Sequence, residues 1–170
     1  MNRIWQCGTI QLDMNLPERF DVTYIDEKGE KVRPVMLHRA CFGSVERFVG
    51  ILIEHFAGAF PLWLSPEQVR ILPVNNNFHL EKSKEIVEAL EKAGLRVHLD
   101  ANEDKLGYRL RAAQVNKVPY TLVIGDNEVN EGTVTYRHFG VRKQVTVKLE
   151  DFIKMVKEEV NSRALPNYEE

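Results

Sequence analysis

The stretch Pro34-Val-Met-Leu-His-Arg-Ala-Cys-Phe-Gly-Ser-Val-Glu-Arg-Phe-Val-Gly-Ile-Leu-Ile-Glu54 predicts a strand that leads directly into a helix. Val35-Met-Leu37 is an apolar run of strand length, and Gly43 ends it. Ser44 can then cap a helix, because its hydroxyl can accept a backbone N–H of the first turn. The apolar residues that follow recur at helical spacing on one face: Val45, Phe48, Val49, Leu52, Ile53 and Phe56.

The first turn of this predicted helix carries one acidic and one basic side chain. Glu46 suits the positive end of the helix dipole, whereas Arg47 does not. An arginine at this position indicates an anionic partner that the side chain and the helix end would bind together.

Two segments resemble a known family. His38-Arg-Ala-Cys-Phe-Gly-Ser-Val-Glu-Arg-Phe48 resembles motif 3 of class II aminoacyl-tRNA synthetases, in the form typical of threonyl-tRNA synthetases. Trp5-Gln-Cys-Gly-Thr-Ile-Gln-Leu-Asp13 is similar to the strand that precedes motif 3 in the same family. The resemblance continues to the C terminus. It implies a C-terminal portion of such a synthetase, a motif 3 segment followed by the anticodon-binding domain.

Composition limits the class of protein. A chain of 170 residues has room for one domain, or for one domain and a fragment, and its apolar fraction of 44% is typical of globular proteins. No apolar run is long enough to span a bilayer, and the N terminus lacks a signal-peptide pattern. Cys7 and Cys41 are too few for a disulfide framework. We therefore expect a cytoplasmic protein without a membrane partner. The resemblance implies tRNA, and not DNA, as its nucleic-acid partner.

The pattern of apolar residues predicts two structured parts. We expect a remnant of the class II catalytic domain over residues 1–58, a linker over 59–68, an anticodon-binding domain over 69–163 and a tail over 164–170. The first part should contain three strands, a hairpin turn with Gly29 at a positive φ, and one helix. The strands are expected at 3–13, Phe20–Ile25 and Val32–Arg39. The turn is expected at 26–30, and the helix should run from Ser44 to about Gly58. Open sheet edges in this part make self-association an expectation.

The second part alternates strands and helices. The predicted elements are a strand at Val69–Val74, a helix to Ala93, a strand at Leu95–Leu99, a helix at about 106–116, a strand at Val118–Ile124, a turn at Gly125–Asn127, strands at Thr133–Phe139 and Gln144–Leu149, and a helix at Glu150–Arg163. This order predicts an α/β fold, a mixed and mostly parallel five-stranded sheet with helices packed on it. The resemblance implies the same fold. A small antiparallel strand–helix remnant should precede it.

The resemblance also implies roles for residues of the first part. Arg47 matches the motif 3 arginine that pairs with ATP, and Gln11 matches a position near bound threonine. The ATP and adenylate site is implied for Gln6, Thr9 and Ser44. Without the resemblance, Arg47 would be a surface arginine in an ion pair, and the others would be ordinary polar strand and cap positions.

His38 matches the motif 3 histidine that binds zinc in threonyl-tRNA synthetases. Catalytic zinc sites use at least three protein ligands, and the family's other two come from sequence that has no counterpart here. Cys41 and Cys7 could complete a makeshift site with His38, but no Cys-x-x-Cys pair supports one. We expect His38 without zinc, and no cofactor in this chain, although the family uses zinc and ATP with magnesium.

Activation of an amino acid needs charges positioned by several segments at once. Motifs 1 and 2 of the family have no counterpart in these 170 residues. We therefore expect no catalytic residue to act in this polypeptide alone, although the parent reaction is ATP-dependent threonylation of tRNA.

The second part matches the anticodon-binding face of the family. The implied contacts to anticodon bases or nearby phosphates are Lys105, Arg111, Lys117, Glu128 and Arg137. Basic side chains can hold the phosphates of a splayed loop while Glu128 and Arg137 contact base edges. Charge alone would favour a solvated basic helix instead. One departure concerns Asn102-Glu-Asp-Lys105, where Glu103 replaces the family's usual asparagine, which could alter base discrimination.

Three functions are compatible with these patterns. The leading function is binding of the anticodon arm of threonine tRNA by a fragment or truncated relative of the synthetase. The alternative is a free-standing accessory or regulatory protein that binds a protein partner or a tRNA-like RNA. A sensor of threonine and zinc is a more remote third.

Overall fold

The structure is a computed structural model and describes residues 3–165. The chain separates into two compact units that divide between His55 and Phe56. No helix within the described part of the chain is both long enough and apolar enough to cross a membrane.

The first unit contains two small antiparallel sheets and one long helix. Its elements are β1 (Gly8–Asp13), α1 (Leu16–Arg19), β2 (Tyr24–Ile25), β3 (Lys31–Val32), β4 (Met36–Cys41) and α2 (Val45–His55). Strand β1 pairs with β4, and β2 pairs with β3. The hairpin turn is confirmed, because Gly29 has φ 80° and its N–H donates to Asp26 O at 3.0 Å.

The predicted strand over Phe20–Ile25 is wrong except for its last two residues. The chain instead forms α1 and then a tight turn, in which Asp21 has φ 48° and the N–H of Val22 donates to Pro17 O at 3.0 Å. The Arg33 guanidinium fixes this turn by donating to Pro17 O at 2.7 Å and to Asp21 Oδ1 at 3.1 Å. These contacts come from a distant residue, so the local apolar pattern could not predict them.

The boundaries of the outer strands also differ from those predicted. β1 begins at Gly8 and not at residue 3, and the expected third strand divides into β3 and β4. Pro34 lies in the interruption, where a residue without an N–H cannot donate to a strand ladder.

The apolar stripe of α2 forms a helix as predicted, but none of its residues is buried. The paired strands are equally open, since Ile10, Leu12 and Leu37 are 65%, 58% and 63% exposed. Residues 3–55 therefore form secondary structure without a buried apolar core of their own.

The second unit is a five-stranded sheet with four helices among its described residues. Its elements are β5 (Val69–Pro73), α3 (Asn76–Lys92), β6 (Val97–Leu99), α4 (Leu106–Val115), β7 (Tyr120–Ile124), α5 (Asp126–Glu131), β8 (Thr133–His138), β9 (Gln144–Lys148) and α6 (Leu149–Ser162). The strand order is β6-β5-β7-β8-β9. β5 is parallel to β6 and β7, while β8 is antiparallel to β7 and β9. The predicted mixed sheet is confirmed.

The core lies between the sheet and the two helices α3 and α6. Buried Ile86 and Leu90 of α3 and Phe152 and Val156 of α6 belong to the same apolar cluster as Leu122 of β7. The crossovers β5–α3–β6 and β6–α4–β7 run in opposite directions along the sheet. Right-handed connections therefore place α3 and α4 on opposite faces.

The predicted turn at Gly125–Asn127 is wrong, because a helix begins there. Glu128 Oε2 accepts the backbone N–H of Gly125 at 2.9 Å, which caps α5 in the manner of a capping box. Gly132, with φ 66°, ends the helix after two turns. A helix this short has too few positions for a periodic pattern.

Candidate nucleic-acid interface

The carboxyl ends of β5, β6 and β7 lie at one edge of the sheet and carry polar loops. In open α/β sheets, this edge is where ligands usually bind. An open polar pocket of about 240 Å³ lies between the start of α3 and the β6–α4 loop. We call it the strand-end pocket, and its lining residues are Val74, Asn75, Asn76, Asn77, Asn102, Glu103, Asp104 and Arg109.

Asparagines form the α3 side of the strand-end pocket. The Asn75 side chain accepts the N–H of Asn77 at 2.9 Å and caps the helix. Asn76 Nδ2 donates to Ala101 O at 2.7 Å and thereby joins the helix start to the β6–α4 loop. Backbone N–H groups at a helix start favour acceptor or anionic ligands.

A buried histidine connects the ends of β5 and β7. His79 Nδ1 accepts the backbone N–H of Asn75 at 3.0 Å, so its Nε2 carries the proton that is donated to Asp126 Oδ1 at 3.0 Å. This arrangement fixes the tautomer of the imidazole and ties α5 to α3. His79 therefore positions the loop after β5 and joins it to the start of α5.

Arg109 is buried beneath the strand-end pocket and is 4% exposed. The basic run from Lys105 to Lys117 indicated a solvated surface, and for Arg109 this interpretation is wrong. A usable signal was present, since Arg109 lies four positions before the fully buried Ala113 on the same face of α4.

Glu128, one of the predicted anticodon contacts, already has two hydrogen bonds within the protein. Besides capping α5, its Oε1 accepts the hydroxyl of Thr135 at 2.6 Å. Thr135 in turn shares a 2.7 Å hydrogen bond with Thr146 of β9. A base contact by Glu128 would have to share these carboxylate oxygens.

Arg137 lies on the face of β8 opposite to the main core, in register with Thr121 of β7. Its Nη2 donates to Arg142 O at 3.1 Å. Its Nε and the Thr121 hydroxyl are both buried without a hydrogen-bond partner among the described residues. The buried Nε cannot reach a ligand in this arrangement, so the predicted base contact would have to use the outer nitrogens of the guanidinium.

The remaining predicted contacts lie apart from each other. Lys105 is the exposed residue at the start of α4, and Arg111 is exposed on the same helix. Lys117, with φ 55°, precedes β7, and its ammonium group donates a hydrogen bond to Ala57 O. It therefore lies toward the amino end of β7, at the sheet edge opposite to the strand-end pocket.

The first unit brings three of its predicted site residues together. Gln6, Thr9 and Arg47 line a small pocket of about 140 Å³, which also includes Gly43. Gly43 has φ 69°, a conformation that glycine adopts without strain, and it turns the chain from β4 into α2.

Ser44 caps α2 as predicted. Its Oγ accepts the N–H of Arg47 at 3.3 Å and donates to Glu46 Oε2 at 2.7 Å. This second bond, followed by the backbone N–H of Glu46 itself, lowers the pKa of the Glu46 carboxyl. The start of α2 thus combines a carboxylate with the arginine of the small pocket.

His38 lies directly opposite Gln11 in the β1–β4 ladder, and its Nε2 is 2.8 Å from Asp13 Oδ2. The backbone N–H of Leu16, and then His38, lower the pKa of Asp13. Cys41 lies three positions from His38 and therefore faces the other side of the ladder. The described residues contain no group of three or more metal-ligating side chains, so they do not fit a zinc site by themselves.

Comparisons with known proteins agree with both units. Residues 68–159 match the family described as anticodon binding domain, and residues 1–56 match the tRNA synthetase class II core domain of the G, H, P, S and T type. Residues 57–67 lie between the two matches.

Among curated proteins, threonine–tRNA ligase of Desulforamulus reducens is 48% identical over 165 residues, and that of Fusobacterium nucleatum is 53% identical over 160 residues. These alignments cover 97% and 94% of this chain. The chain spans 26% of each relative, about a quarter of its length. Among solved structures, the RNA binding domain of threonyl-tRNA synthetase from Cryptosporidium parvum has a TM-score of 0.78 and 35% identity, and the match covers 92% of this chain and 40% of that one.

Proposed function

Because the chain belongs to the anticodon binding domain family, we propose that it binds the anticodon arm of threonine tRNA and acts as the C-terminal part of a threonine–tRNA ligase. The observation that carries this proposal is the agreement between the family match over 68–159 and the identity of about half to threonine–tRNA ligases over nearly the whole chain. The parent reaction, threonylation of tRNA with ATP, belongs to the proposal. The proposal also includes a cytoplasmic location. It further includes a division of the chain into a remnant of the catalytic domain (1–58), a linker (59–68), an anticodon-binding domain (69–163) and a tail (164–170).

The chemistry of the strand-end edge supports RNA as the ligand. Anticodon bases are unstacked and offer both phosphates and base edges. Lys105 at the start of α4 and Arg111 farther along that helix are exposed and suit phosphates, while the asparagines of the strand-end pocket suit base edges. Arg137 lies level with Thr121, toward the amino end of β7, so an anticodon loop would have to extend beyond the strand-end edge to reach it. We also propose Lys117 and Glu128 as anticodon contacts. Binding of RNA would then have to replace or share the hydrogen bonds that both side chains make within the protein.

For residues 1–55 we propose a contribution to an ATP site. The small pocket lined by Gln6, Thr9 and Arg47 supports this, since the fork of an arginine suits phosphate and its plane can stack on adenine. Ser44 would hold the start of α2 in place, and Gln11 and His38 would contribute to a threonine site. His38 would bind zinc only with ligands from outside these residues.

The test is a fluorescence titration of the full chain with threonine tRNA, with a tRNA that has a changed anticodon, and with an unrelated tRNA. We expect tighter binding of threonine tRNA and a decrease in affinity as salt rises, because phosphate contacts release counterions. Equal affinity for all three RNAs at each salt concentration would contradict the proposal. A protein partner, as in an accessory protein, would then be the better explanation.

A further inference from the structure

The guanidinium of Arg109 holds three segments of the main chain together. Its Nη2 donates to Pro73 O at 2.7 Å, and its Nη1 donates to Asp100 O at 2.8 Å. Its Nε donates to Asp104 O at 3.1 Å. These carbonyls belong to the end of β5 and to both ends of the β6–α4 loop.

Arg109 makes these bonds without a carboxylate partner, since no ion pair among the described residues includes it. A buried charge usually requires a paired charge, because its desolvation is costly. Arg70 shows the usual solution, as it is 8% exposed and binds both carboxylate oxygens of Glu67, at 2.6 and 2.7 Å. The burial of Arg109 is therefore explained by its three hydrogen bonds to main-chain carbonyls, which hold those segments in place, and not by a charge pair.

The segment held by Arg109 carries the residues that face the ligand. Asn102, Glu103 and Asp104 line the strand-end pocket, and the segment ends at the exposed Lys105. One side chain thus fixes the loop at both of its ends.

We propose that Arg109 is a positioning residue for anticodon discrimination, which fixes the loop Asp100–Lys105 so that its side chains meet the RNA in one arrangement. This inference rests on the proposed function. A loop that is ordered before binding loses little conformational entropy on binding. It also cannot rearrange to accommodate a wrong base, so unpaired polar groups penalise that base.

The experiment compares Arg109→Met and Arg109→Lys with the control Arg70→Met in the full chain. The control also removes a buried arginine from the same unit. Arg70 is bound by Glu67 and lies away from the strand-end pocket, toward the amino ends of the parallel strands and two strands from Arg137. Affinity for threonine tRNA and for the same tRNA with one changed anticodon base is measured at one salt concentration, below the melting temperature of every variant. Amide exchange over residues 101–108 is followed in parallel.

We expect Arg109→Met to reduce the ratio of the two affinities by about tenfold, the effect of losing one charge-assisted hydrogen-bonded arrangement. Arg109→Lys should lose less, because it keeps the charge and part of the hydrogen bonding, and only the Arg109 variants should exchange faster over 101–108. Arg70→Met should lower the melting temperature and leave the ratio unchanged.

Different outcomes separate this inference from the proposed function. If the unaltered chain discriminates and Arg109→Met discriminates equally well, Arg109 is only structural and the inference is wrong, whatever the melting temperature. If Arg109→Met does not fold, the same criterion is applied to Arg109→Lys. If the unaltered chain does not distinguish the two tRNAs, the proposed function fails and the inference fails with it.

Discussion

Arg137 has hydrogen-bonding capacity that the described residues do not meet. Its Nε is buried without a partner among residues 3–165, while Nη2 is held by Arg142 O. A planar guanidinium can make paired bonds to one base edge, and an ammonium cannot reproduce them.

We predict that Arg137→Lys weakens binding of threonine tRNA by roughly 1–3 kcal/mol, the range for a bidentate base contact in protein–DNA complexes. Lys143→Ala is the control, since an exposed lysine can offer only a phosphate contact and should affect all tRNAs alike. Both variants are titrated at matched salt against threonine tRNA and a tRNA with a changed anticodon. An unchanged affinity ratio for Arg137→Lys would remove Arg137 from the recognition site.

The ionisation of Tyr120 is coupled to folding. Burial, and then the hydrogen bond that its hydroxyl donates to Glu159 Oε2 at 2.7 Å, raise the pKa of Tyr120 well above its ordinary value of 10.0. Above about pH 10 the unfolded chain loses this proton while the folded chain keeps it, so stability must fall as pH rises.

We therefore predict that the free energy of unfolding decreases less between about pH 9 and 11 in Tyr120→Phe than in the unaltered protein. At neutral pH the variant should be less stable by about 1 kcal/mol, because Glu159 loses a hydrogen-bond donor. Urea denaturation at each pH gives the free energy of unfolding. Subtracting the two free energies of unfolding at each pH removes the contributions of the other tyrosines and lysines, which both proteins share. If the two curves of free energy against pH are parallel, Tyr120 does not contribute to the pH dependence.

At the scale of elements, α5 depends on one carboxylate. Glu128 caps the helix through Gly125 and joins it to β8 through Thr135. We predict that Glu128→Ala lowers the free energy of unfolding by about 1–2 kcal/mol, since it removes a cap and an acceptor for a hydroxyl. Glu131→Ala, which alters an exposed residue of the same helix, should change it by less than about 0.5 kcal/mol. Equal effects in urea denaturation would mean that the two hydrogen bonds do not stabilise α5.

The elements that could be predicted are those whose own residues determine them. α3 has an asparagine cap and an inward stripe with Ile86 and Leu90, and α6 buries Phe152 and Val156 at helical spacing. The apolar pattern does not predict α5, because the signal for this helix is a capping residue and not a periodic run of apolar residues. The residues at 20–23 were misassigned because Arg33 holds them from outside the segment.

The site was less predictable than the fold for a related reason. Sequence marks which residues are basic, but burial of a basic residue depends on carbonyls that the fold brings to it. Arg109 meets Pro73, Asp100 and Asp104 only because β5 and β6 end side by side. In the same way, no pattern indicates that Thr135 binds Glu128 or that Lys117 donates to Ala57 O.

For the whole molecule, the two units differ in how much apolar surface they bury. The second has a continuous core with several fully buried side chains, whereas α2 buries none and the paired strands β1 and β4 expose theirs. Burial of apolar surface supplies most of the stability of a fold, and two-stranded sheets are marginally stable alone. The first unit should therefore open locally without unfolding of the second.

We predict that hydrogen exchange of the 170-residue polypeptide is slow over β5, β7 and α3 and faster by orders of magnitude over β1, β4 and α2. The free energy of opening should approach that of global unfolding only in the second unit. The measurement is repeated over a range of protein concentrations, because open strand edges can pair with another copy. Protection of β1 and β4 that rises with concentration would indicate self-association through these strands. Strong protection at every concentration in a protein proven to be monomeric would show that the first unit is stabilised by contacts other than apolar burial, and the prediction would be wrong.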